Sequence, residues 1–547
     1  MSRSLKTKLK QKELQLDAVI IGAGFSGLYQ LHCLRNELNL SAAILEAGNG
    51  IGGTWYWNRY PGARCDSESH TYCYYFSREL LNEWRWSERY PKQSEILEYL
   101  NFCAKKFDLE RSIYLNQRVK QAIWNEISLR WEIRTATGFR LEAKFLITAV
   151  GCLSSANHPK ISGVSNFAGD ILHTGEWPQE KVDFSGKSVV VIGTGSTGIQ
   201  IIPNIAKDAS KLTVLQRTAN FSVPARNAPL EKGFHKKFRT DIDSWHRKML
   251  DSRHGHPWNA ETRKLCETSY EERNEILETA WRNGGLRFKD SFEDILLDES
   301  SNQIMSDFIR LKIKDILNDN VKAKILSPFD HGFGTKRPPI DTNYFETYNR
   351  ENVELFDVGI NNICNFESDG IKLSDGTKVP ADVVVFATGF DAMTGSLLKM
   401  NIVGRKTFNL NNEWQEGPKT YLGLGVHGFP NMFTITGPGS PSVLTNMPRA
   451  IEQHVDWISS LLSYAKANNV NEIEAEREAM LEWTEHVSVS AKSTLLPKGK
   501  NSWYFGANIS GKPSVFMPYA GGLNTYRTYC ENVASNGYKG FRMKYDT

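Results

Sequence analysis

Two short apolar runs in the chain each lead directly into a glycine-rich turn. Residues 18–21 lead into Gly22-Ala-Gly24-Phe-Ser-Gly27, and residues 188–192 lead into Gly193-Thr-Gly195-Ser-Thr-Gly198. Continuous apolar runs of this kind predict buried strands of a parallel sheet, and the glycines permit a tight passage from strand to helix. The pattern therefore predicts an α/β fold that contains the same strand-turn-helix unit twice.

Both turns match the G-x-G-x-x-G pattern that binds dinucleotides. The first glycine allows the tight turn, the second lets the backbone approach a pyrophosphate, and the third lets helix and strand pack closely. The pyrophosphate then meets the free N–H groups at the start of the helix. The residues expected to bind the two coenzymes in these turns are Gly22, Gly24, Ser26 and Gly27 in the first, and Thr194, Gly195, Ser196, Thr197, Gly198 and Gln200 in the second.

The two copies differ in the charge that follows them. Twenty-four residues beyond Gly22 the next apolar run ends in Glu46, and twenty-four residues beyond Gly193 the corresponding run ends in Arg217. A carboxylate at this position accepts hydrogen bonds from a ribose 2′-OH, whereas an arginine suits a 2′-phosphate. We therefore expect FAD at the first site and NADPH at the second. The alternative, two structural turns without a ligand, is less favoured because both copies carry the strand and the distal charge.

The length and composition are those of a globular protein with two or three domains. The chain has 547 residues, of which 40% are apolar and 23% charged, and its net charge is only +4, so we expect neither a nucleic-acid partner nor a membrane surface. No apolar run is long enough to span a membrane. The eight cysteines are scattered without a C-x-x-C pair. We therefore expect reduced, buried thiols, no metal site and a cytoplasmic location.

Apolar runs that stop at a glycine indicate how the domains are interleaved. The runs at residues 145–151 and 383–389 predict boundary strands. We expect a loose tail at residues 1–16, a FAD-binding domain made of residues 17–152 and 389–547, an NADPH-binding domain made of residues 153–225 and 334–388, and a helical insert at residues 226–333. Helical apolar spacing predicts two amphipathic helices, marked by Met305, Ile309, Ile313 and Ile316 and by Ile451, Val455, Ile458 and Leu462.

Two further motifs indicate which protein family the chain resembles. Residues 167–178 form a complete F-x-G-x-x-x-H-x-x-x-W-P signature, and residues 52–66 combine G-G-x-W with an aromatic-Pro-Gly and an aspartate. The signature positions are Phe167, Gly169, His173, Trp177 and Pro178. With these motifs the chain resembles the type I Baeyer-Villiger monooxygenases over nearly its whole length. Within them it looks most similar to the phenylacetone monooxygenase branch.

The resemblance implies a reaction and a set of partners. Members of this family use FAD, NADPH and O2 to convert aryl-alkyl, cyclic or linear ketones into esters or lactones through a C4a-peroxyflavin, and side sulfoxidation is an accompanying expectation. The expected partners are therefore a small ketone and O2, with no obligate protein partner. Two alternatives stay open: a flavin-containing monooxygenase that oxidises nitrogen or sulfur, and a non-catalytic NADPH-binding redox sensor.

The same resemblance assigns the catalytic pair. Attack on a ketone carbonyl generates negative charge on oxygen, and an arginine stabilises such charge because its guanidinium stays protonated and offers several fixed donors. Arg337, in Gly334-Thr-Lys-Arg-Pro338, occupies the place of the family's catalytic arginine. Asp66 occupies the place of its carboxylate partner, and the two should pair. The plainer alternatives are a surface Lys-Arg pair and a turn aspartate.

Further coenzyme contacts also follow from the resemblance. Arg217, Thr218 and Lys336 should surround the 2′-phosphate, and Trp503 lies in a loop expected to fold over the nicotinamide. The other positions expected to contact a coenzyme are Thr54, Trp55, Tyr56, Trp57, Arg64, Tyr72, Val119, Cys152 and Met447, together with Asp66 and Arg337. His173 and Trp177 are expected on a linker between the domains, where they either couple domain movement or serve a structural role.

Overall fold

The protein is described by a computed structural model that covers residues 14–258, 262–499 and 501–545. Most of the tail expected at residues 1–16 lies outside these described residues. Its last three residues, however, belong to the first strand, Leu14–Ile21, where they are aligned with residues 141–143 of a neighbouring strand. The prediction of a loose tail is therefore wrong for Leu14 to Leu16, because main-chain pairing extends the strand beyond its apolar core.

The strands in the described part of the chain are mostly short. In chain order β1 to β20 are Leu14–Ile21, Ala42–Leu45, Ile113–Tyr114, Val119–Asn125, Arg130–Thr135, Arg140–Thr148, Asp170–His173, Ser188–Ile192, Lys211–Gln216, Val223–Pro224, Ile340–Asp341, Val353–Asp357, Ile363–Glu367, Gly370–Leu373, Lys378–Pro380, Val383–Phe386, Asn401–Val403, Met432–Thr434, Val470–Ala475 and Phe541–Tyr545.

The α-helices vary from a single turn to 21 residues. In chain order α1 to α15 are Phe25–Leu31, Thr54–Trp57, Arg78–Glu83, Gln93–Lys106, Ser196–Asp208, Phe234–Asp251, Tyr270–Asn283, Glu299–Ile316, Asn320–Leu326, Tyr344–Thr347, Gly395–Leu398, Leu410–Glu413, Met447–Ala467, Arg477–Lys492 and Leu523–Ser535. A π-helical segment, His32–Glu37, continues α1.

The first sheet is built around the strand that precedes the first glycine turn. Its order is β17-β4-β5-β6-β1-β2-β3, and β18 pairs with β6 as an additional strand. The strands β3, β2, β1 and β6 run parallel, whereas β4 and β5 form an antiparallel extension. The α/β prediction is confirmed here, and the carboxyl ends of the parallel strands lie at the edge where such sheets bind ligands.

The second sheet is fully parallel and has the order β12-β9-β8-β16-β7. Both β8, which precedes the second glycine turn, and β16 are buried on both faces. The boundary strands end earlier than predicted, at Thr148 and Phe386 rather than at the glycines that follow. The placement of His173 on a linker is also wrong, because it is the last residue of edge strand β7 and lies opposite Phe386.

The helices of residues 226–333 pack against two different cores. Phe238 and Ile242 of α6 are buried in the core beside the first sheet, whereas Trp281 of α7 and Ile309 of α8 are buried in the core beside the second. The predicted helix around Met305 is confirmed as α8, and the predicted helix near the C-terminus is confirmed as α13. Helices of the insert therefore pack against the cores beside both sheets.

Two smaller expectations concern thiols and membranes. None of the eight cysteines forms a disulfide bond. Six are buried as expected, whereas Cys266 and Cys364 are exposed. Among the residues that the structure describes, no helix combines the length and the apolar character needed to cross a membrane.

Candidate functional site

The first glycine turn connects β1 with α1 and leaves the start of the helix open. Gly22 has a φ of +106°, and a Cβ on Gly27 would lie 1.9 Å from the carbonyl oxygen of Gly22. Both positions therefore require glycine. Gly24 is extended at the N-cap of α1, and no side chain caps the helix. Uncapped N–H groups at a helix start are a donor set that fits a pyrophosphate.

Glu46 follows β2 directly and is turned toward this glycine turn. Its Oε2 accepts a hydrogen bond from the Ala23 N–H at 2.8 Å, and its Oε1 accepts one from the Gly48 N–H at 2.7 Å. Burial raises the pKa of the Glu46 carboxyl, while these backbone donors lower it in part. The carboxylate is thus held beside the turn, where a ribose hydroxyl would find an acceptor.

The second glycine turn repeats the geometry of the first. Gly193 has a φ of +109°, and a Cβ on Gly198 would lie 2.2 Å from the carbonyl oxygen of Gly193. A Cβ on Gly195 would meet no atom within 4 Å, so space stays open above the turn. Gly195 is the N-cap of α5, again without a side-chain cap. The second turn therefore also fits a dinucleotide.

The residues predicted around a 2′-phosphate lie at the end of β9 and in the loop before β11. Arg217 is exposed at the end of β9, and the carbonyl of Thr218 accepts a hydrogen bond from the Thr194 hydroxyl at 3.3 Å. The Lys336 ammonium lies 3.3 Å from Oδ2 of Asp330. The pKa of Lys336 is lowered by burial and by the positive charge of Arg217, although Asp330 raises it in part.

The predicted catalytic pair forms. Arg337 donates from Nη2 to Oδ2 of Asp66 at 2.6 Å and from Nη1 to the carbonyl oxygen of Val443 at 2.8 Å. Burial by itself lowers the pKa of the guanidinium, but the charge of Asp66, with a further contribution from Tyr504, more than offsets this and the net pKa is raised. Arg337 is therefore a fixed, permanently charged donor.

An apolar cluster lies beside this pair. It contains Cys152, Val443 and Tyr504, and the partly buried Met447 and Trp503 pack against it. Burial raises the pKa of Tyr504 to about 12, even though Arg337 lowers it in part. Val443 and Tyr504 connect this cluster with Arg337, and the roles predicted for Cys152, Met447 and Trp503 stay predictions.

Four of the remaining positions predicted to bind FAD lie on the short helix that follows a segment packed on the first glycine turn. A Cβ on Gly53 would lie 2.9 Å from the Cα of Gly24, so the Gly-Gly-Thr-Trp segment rests on that turn. Helix α2 carries Thr54, Trp55, Tyr56 and Trp57. The Trp55 indole donates to the Tyr72 hydroxyl at 3.3 Å, and Val119 begins β4.

Arg64 and Gln200 form hydrogen bonds with other residues of the protein, and Gln200 contacts the segment that precedes Asp66. Arg64 donates from Nη1 to the carbonyl oxygen of Tyr90 at 3.1 Å. Gln200, on α5, accepts from the Tyr60 hydroxyl at 2.7 Å and donates to the carbonyl oxygen of Arg64 at 3.0 Å. These side chains therefore connect the segment around Asp66 with the helix of the second glycine turn.

The signature residues lie on and next to β7. Phe167 and Trp177 are buried, and a Cβ on Gly169 would lie 2.2 Å from a main-chain oxygen of Asp382. His173 accepts from the Gly175 N–H at 3.0 Å through Nδ1, and its Nε2 lies 3.3 Å from the Thr388 hydroxyl. Burial lowers the pKa of His173 to about 4. A neutral, hydrogen-bonded histidine suits a structural or coupling role better than proton transfer.

Sequence reasoning missed the contacts that fix the loop containing Trp503. Lys512 donates to Oδ1 of Asp391 at 2.5 Å and to the carbonyl oxygen of Ala392 at 2.9 Å. Asn508 donates to the carbonyl oxygen of Phe390 at 2.8 Å. Residues 390–392 lie shortly after β16, so this loop is tied to the segment that follows an interior strand of the second sheet. No local sequence pattern signals an ion pair across 121 positions.

Comparisons with known proteins agree with this geometry. A model of the family described as flavin-binding monooxygenase-like matches residues 16–318. The chain is similar to cyclohexanone 1,2-monooxygenase of Acinetobacter sp., with 41% identity that covers 97% of each chain. It is also similar to a phenazine N-monooxygenase of Lysobacter antibioticus, with 40% identity that again covers 97% of each.

A solved structure shows the same fold. An oxidized steroid monooxygenase bound to NADP superposes with a TM-score of 0.93 at 45% identity, covering 97% of this chain and 100% of that one. A likeness of this extent includes both sheets and the helices of residues 226–333. The placement of the chain nearest the phenylacetone monooxygenase branch stays a prediction.

Proposed function

The chain belongs to the flavin-binding monooxygenase-like family, and from that membership we propose that it is a Baeyer-Villiger monooxygenase that uses FAD, NADPH and O2 to convert a ketone into an ester or a lactone. The single observation that carries the proposal is the Arg337–Asp66 pair, which presents a partly buried, fixed cation in a chain that has two dinucleotide turns. A flavin bound by a dinucleotide turn with a ribose-binding carboxylate is FAD.

The two turns and their distal charges would hold the coenzymes. The first turn and Glu46 would hold FAD, and the second turn with Arg217, Thr218 and Lys336 would hold NADPH. When bound, FAD that NADPH has reduced would activate O2, which supplies the oxygen atom. The assignments of the other coenzyme contacts, and the division of the chain into interleaved domains, belong to the same proposal.

Arg337 is proposed to stabilise the negative charge that develops on the ketone oxygen. Its two outer nitrogens are held by Asp66 and by the carbonyl oxygen of Val443, so the guanidinium does not need to reorganise when the charge appears. Asp66 is the positioning residue of the pair. The apolar cluster with Val443 and Tyr504 would exclude water from this region. His173 would couple the second sheet to the loop through the Thr388–Phe390 segment.

The experiment that tests this proposal measures product, not only coenzyme consumption. Purified holoenzyme is supplied with NADPH and a panel of cyclic, linear and aryl-alkyl ketones, and esters or lactones are identified by mass spectrometry under ¹⁸O2. We expect one ¹⁸O atom per product molecule. Incorporation from water, or no ester from any ketone, would contradict the proposal.

A second candidate function has a specific observation behind it. The phenazine N-monooxygenase is nearly as similar to this chain as the cyclohexanone enzyme. The same panel therefore includes an aromatic nitrogen heterocycle and a thioether. N-oxide formation that is faster than ester formation, and that survives replacement of Arg337, would favour this candidate. A non-catalytic redox sensor would form none of these products.

A further inference from the structure

The loop before Lys336 places a carboxylate against one of the two cations expected at the 2′-phosphate. Oδ2 of Asp330 lies 3.3 Å from the Lys336 ammonium, and the Lys336 side chain is only 13% exposed. Arg217, in contrast, has no hydrogen-bond or ion-pair partner among the described side chains. Of the two cations, Lys336 therefore already carries a counter-ion and Arg217 does not.

Asp330 is held in place from its other side. Its Oδ1 lies 2.6 Å from Nδ1 of His331, whose side chain is buried and packs edge-on against Phe221 with ring centroids 5.3 Å apart. Burial lowers the pKa of His331, so the neutral ring donates its Nδ1–H to the carboxylate. This bond fixes the orientation of Asp330 independently of Lys336.

The carboxylate is ionised throughout the physiological range. Burial raises the pKa of Asp330, but the hydrogen bond from His331 and the charge of Lys336 outweigh it, and the pKa falls to about 2. A 2′-phosphate carries between one and two negative charges near pH 7 and would approach the same ammonium. Like charges in one partly buried site repel each other, so the phosphate and Asp330 must share Lys336 or compete for it.

We propose that Asp330 is a specificity-determining residue that competes with the coenzyme 2′-phosphate for Lys336 and thereby weakens the binding of NADP(H). The inference rests on the proposed function, because it takes Lys336 and Arg217 as the phosphate-binding cations. It assigns the two cations different roles. Arg217 binds the phosphate without a competing charge, whereas the attraction of Lys336 for the phosphate is reduced by its ion pair with Asp330.

The test measures binding directly, without turnover. FAD-loaded enzyme is titrated calorimetrically with adenosine 2′,5′-bisphosphate and, as the probe without the 2′-phosphate, with 5′-AMP. Asp330→Asn removes the charge but keeps an oxygen to accept the His331 bond. We expect it to tighten binding of the bisphosphate about three- to fivefold, the effect of one partly exposed ion pair, and to leave 5′-AMP unchanged. Asp208→Asn, an exposed aspartate at the end of α5, is the charge-matched control.

A double-mutant cycle separates competition from direct repulsion. In a Lys336→Met background, Asp330→Asn should lose more than half of its effect on the bisphosphate. An undiminished effect would mean that Asp330 repels the phosphate without involving Lys336, and weaker or unchanged binding by Asp330→Asn would overturn the proposal outright. Asp330→Ser serves as the second variant if the asparagine form does not fold.

The failure of this inference is distinguishable from failure of the proposed function. If the parent enzyme does not prefer the bisphosphate over 5′-AMP, or if neither Arg217→Ala nor Lys336→Met lowers that preference, the assignment of the phosphate site is itself wrong. If Arg217→Ala and Lys336→Met each lower the preference and Asp330→Asn does not tighten binding, only the role of Asp330 is wrong.

Discussion

Arg337 and Asp66 lie 271 positions apart in the chain and share a hydrogen-bonded ion pair of 2.6 Å. Their side chains are 26% and 22% exposed, so the pair is neither a surface contact nor fully removed from solvent. The pairing brings the segment after α2 onto the loop before β11, and it therefore depends on the complete fold. A cation held in this way is preorganised for charge that develops beside it.

Replacement of Arg337 by alanine should abolish ester formation while both coenzymes still bind. The change removes the only charge we assign to the ketone oxygen and touches neither glycine turn, and loss of one such donor typically costs about 10²-fold or more in rate. The measurement is ester formed per minute, with FAD content and the dissociation constant of NADP⁺ determined alongside. Arg247→Ala, an exposed arginine on α6, is the control. Near-parental ester formation by the Arg337 variant would remove it from the mechanism.

Replacement of Arg217 by alanine should raise KM for NADPH much more than KM for NADH. Its guanidinium lies at the end of β9 and is the unpaired cation of the site, so its loss affects only the coenzyme that carries a 2′-phosphate. The measurement is the ratio of the two KM values in parent and variant. The control is Arg350→Ala, in an exposed turn before β12, which should leave the ratio unchanged. Equal changes in KM for both coenzymes with Arg217→Ala would contradict the assignment.

Local patterns in the sequence predicted what depends on local geometry. The strand before each glycine turn, the positions of Glu46 and Arg217, and helices α8 and α13 all follow from apolar periodicity and from the demands of a tight turn. Position 27 requires glycine because a Cβ there would clash with the carbonyl oxygen of Gly22. These features need no knowledge of distant parts of the chain.

Contacts between distant segments could not be predicted from the residues alone. The pairing of Arg337 with Asp66 followed from a family resemblance, whereas Tyr504 beside Arg337 and Lys512 on Asp391 were missed entirely. Even Asp330, six positions from Lys336, gives no signal, because an irregular loop has no periodicity that tells which side chains face each other. His173 was misplaced because the short strand β7 is defined by its neighbour β16 rather than by its own pattern.

The contribution of Asp341 to the stability of the protein should fall as the pH rises from about 4 to about 7. Burial raises the pKa of this carboxyl from 3.8 to about 7, although a hydrogen bond from the Ser222 hydroxyl at 2.8 Å lowers it in part. The folded state therefore keeps a proton that the unfolded state has lost, and the resulting stabilisation, at most about 4 kcal/mol, disappears as the pH passes the folded pKa.

Asp341→Asn tests this pH dependence. Amide replacement removes the ionisation, so the variant should have nearly the parental free energy of unfolding near pH 4 and a higher one than the parent at pH 8. Chemical denaturation at several pH values measures the difference, with Asp315→Asn on the exposed face of α8 as the control. A difference that does not change with pH would show that Asp341 has an ordinary pKa.

Replacement of Trp503 by alanine should divert electrons from ester to hydrogen peroxide. Trp503 packs on the apolar cluster beside Arg337 and is in ring contact with Tyr504, with centroids 4.6 Å apart. Loss of its ring opens this region to water, and activated oxygen that water reaches leaves as hydrogen peroxide. The measurement is ester formed per NADPH oxidised at saturating ketone. A ratio equal to that of the parent enzyme would exclude this role of the loop.

The ion pair of Lys512 with Asp391 should also be needed for a high yield of ester per NADPH oxidised. Neither residue is assigned to a coenzyme or to the ketone. The pair lies 2.5 Å apart with side chains only 11% and 25% exposed, and it ties the loop of Trp503 to the segment that follows β16. Lys512→Met removes this ion pair and leaves Asp391 without its partner, so the ester yield per NADPH should fall and hydrogen peroxide should rise.

The matched control is Lys498→Met. The partner of Lys498, Glu299, is 73% exposed, so this variant should change neither yield, because solvated ion pairs contribute little. If the loop acts through the pair of Lys512 with Asp391, Asp391→Asn added to Lys512→Met should cause no further loss, and an additive loss would show that the two residues act independently.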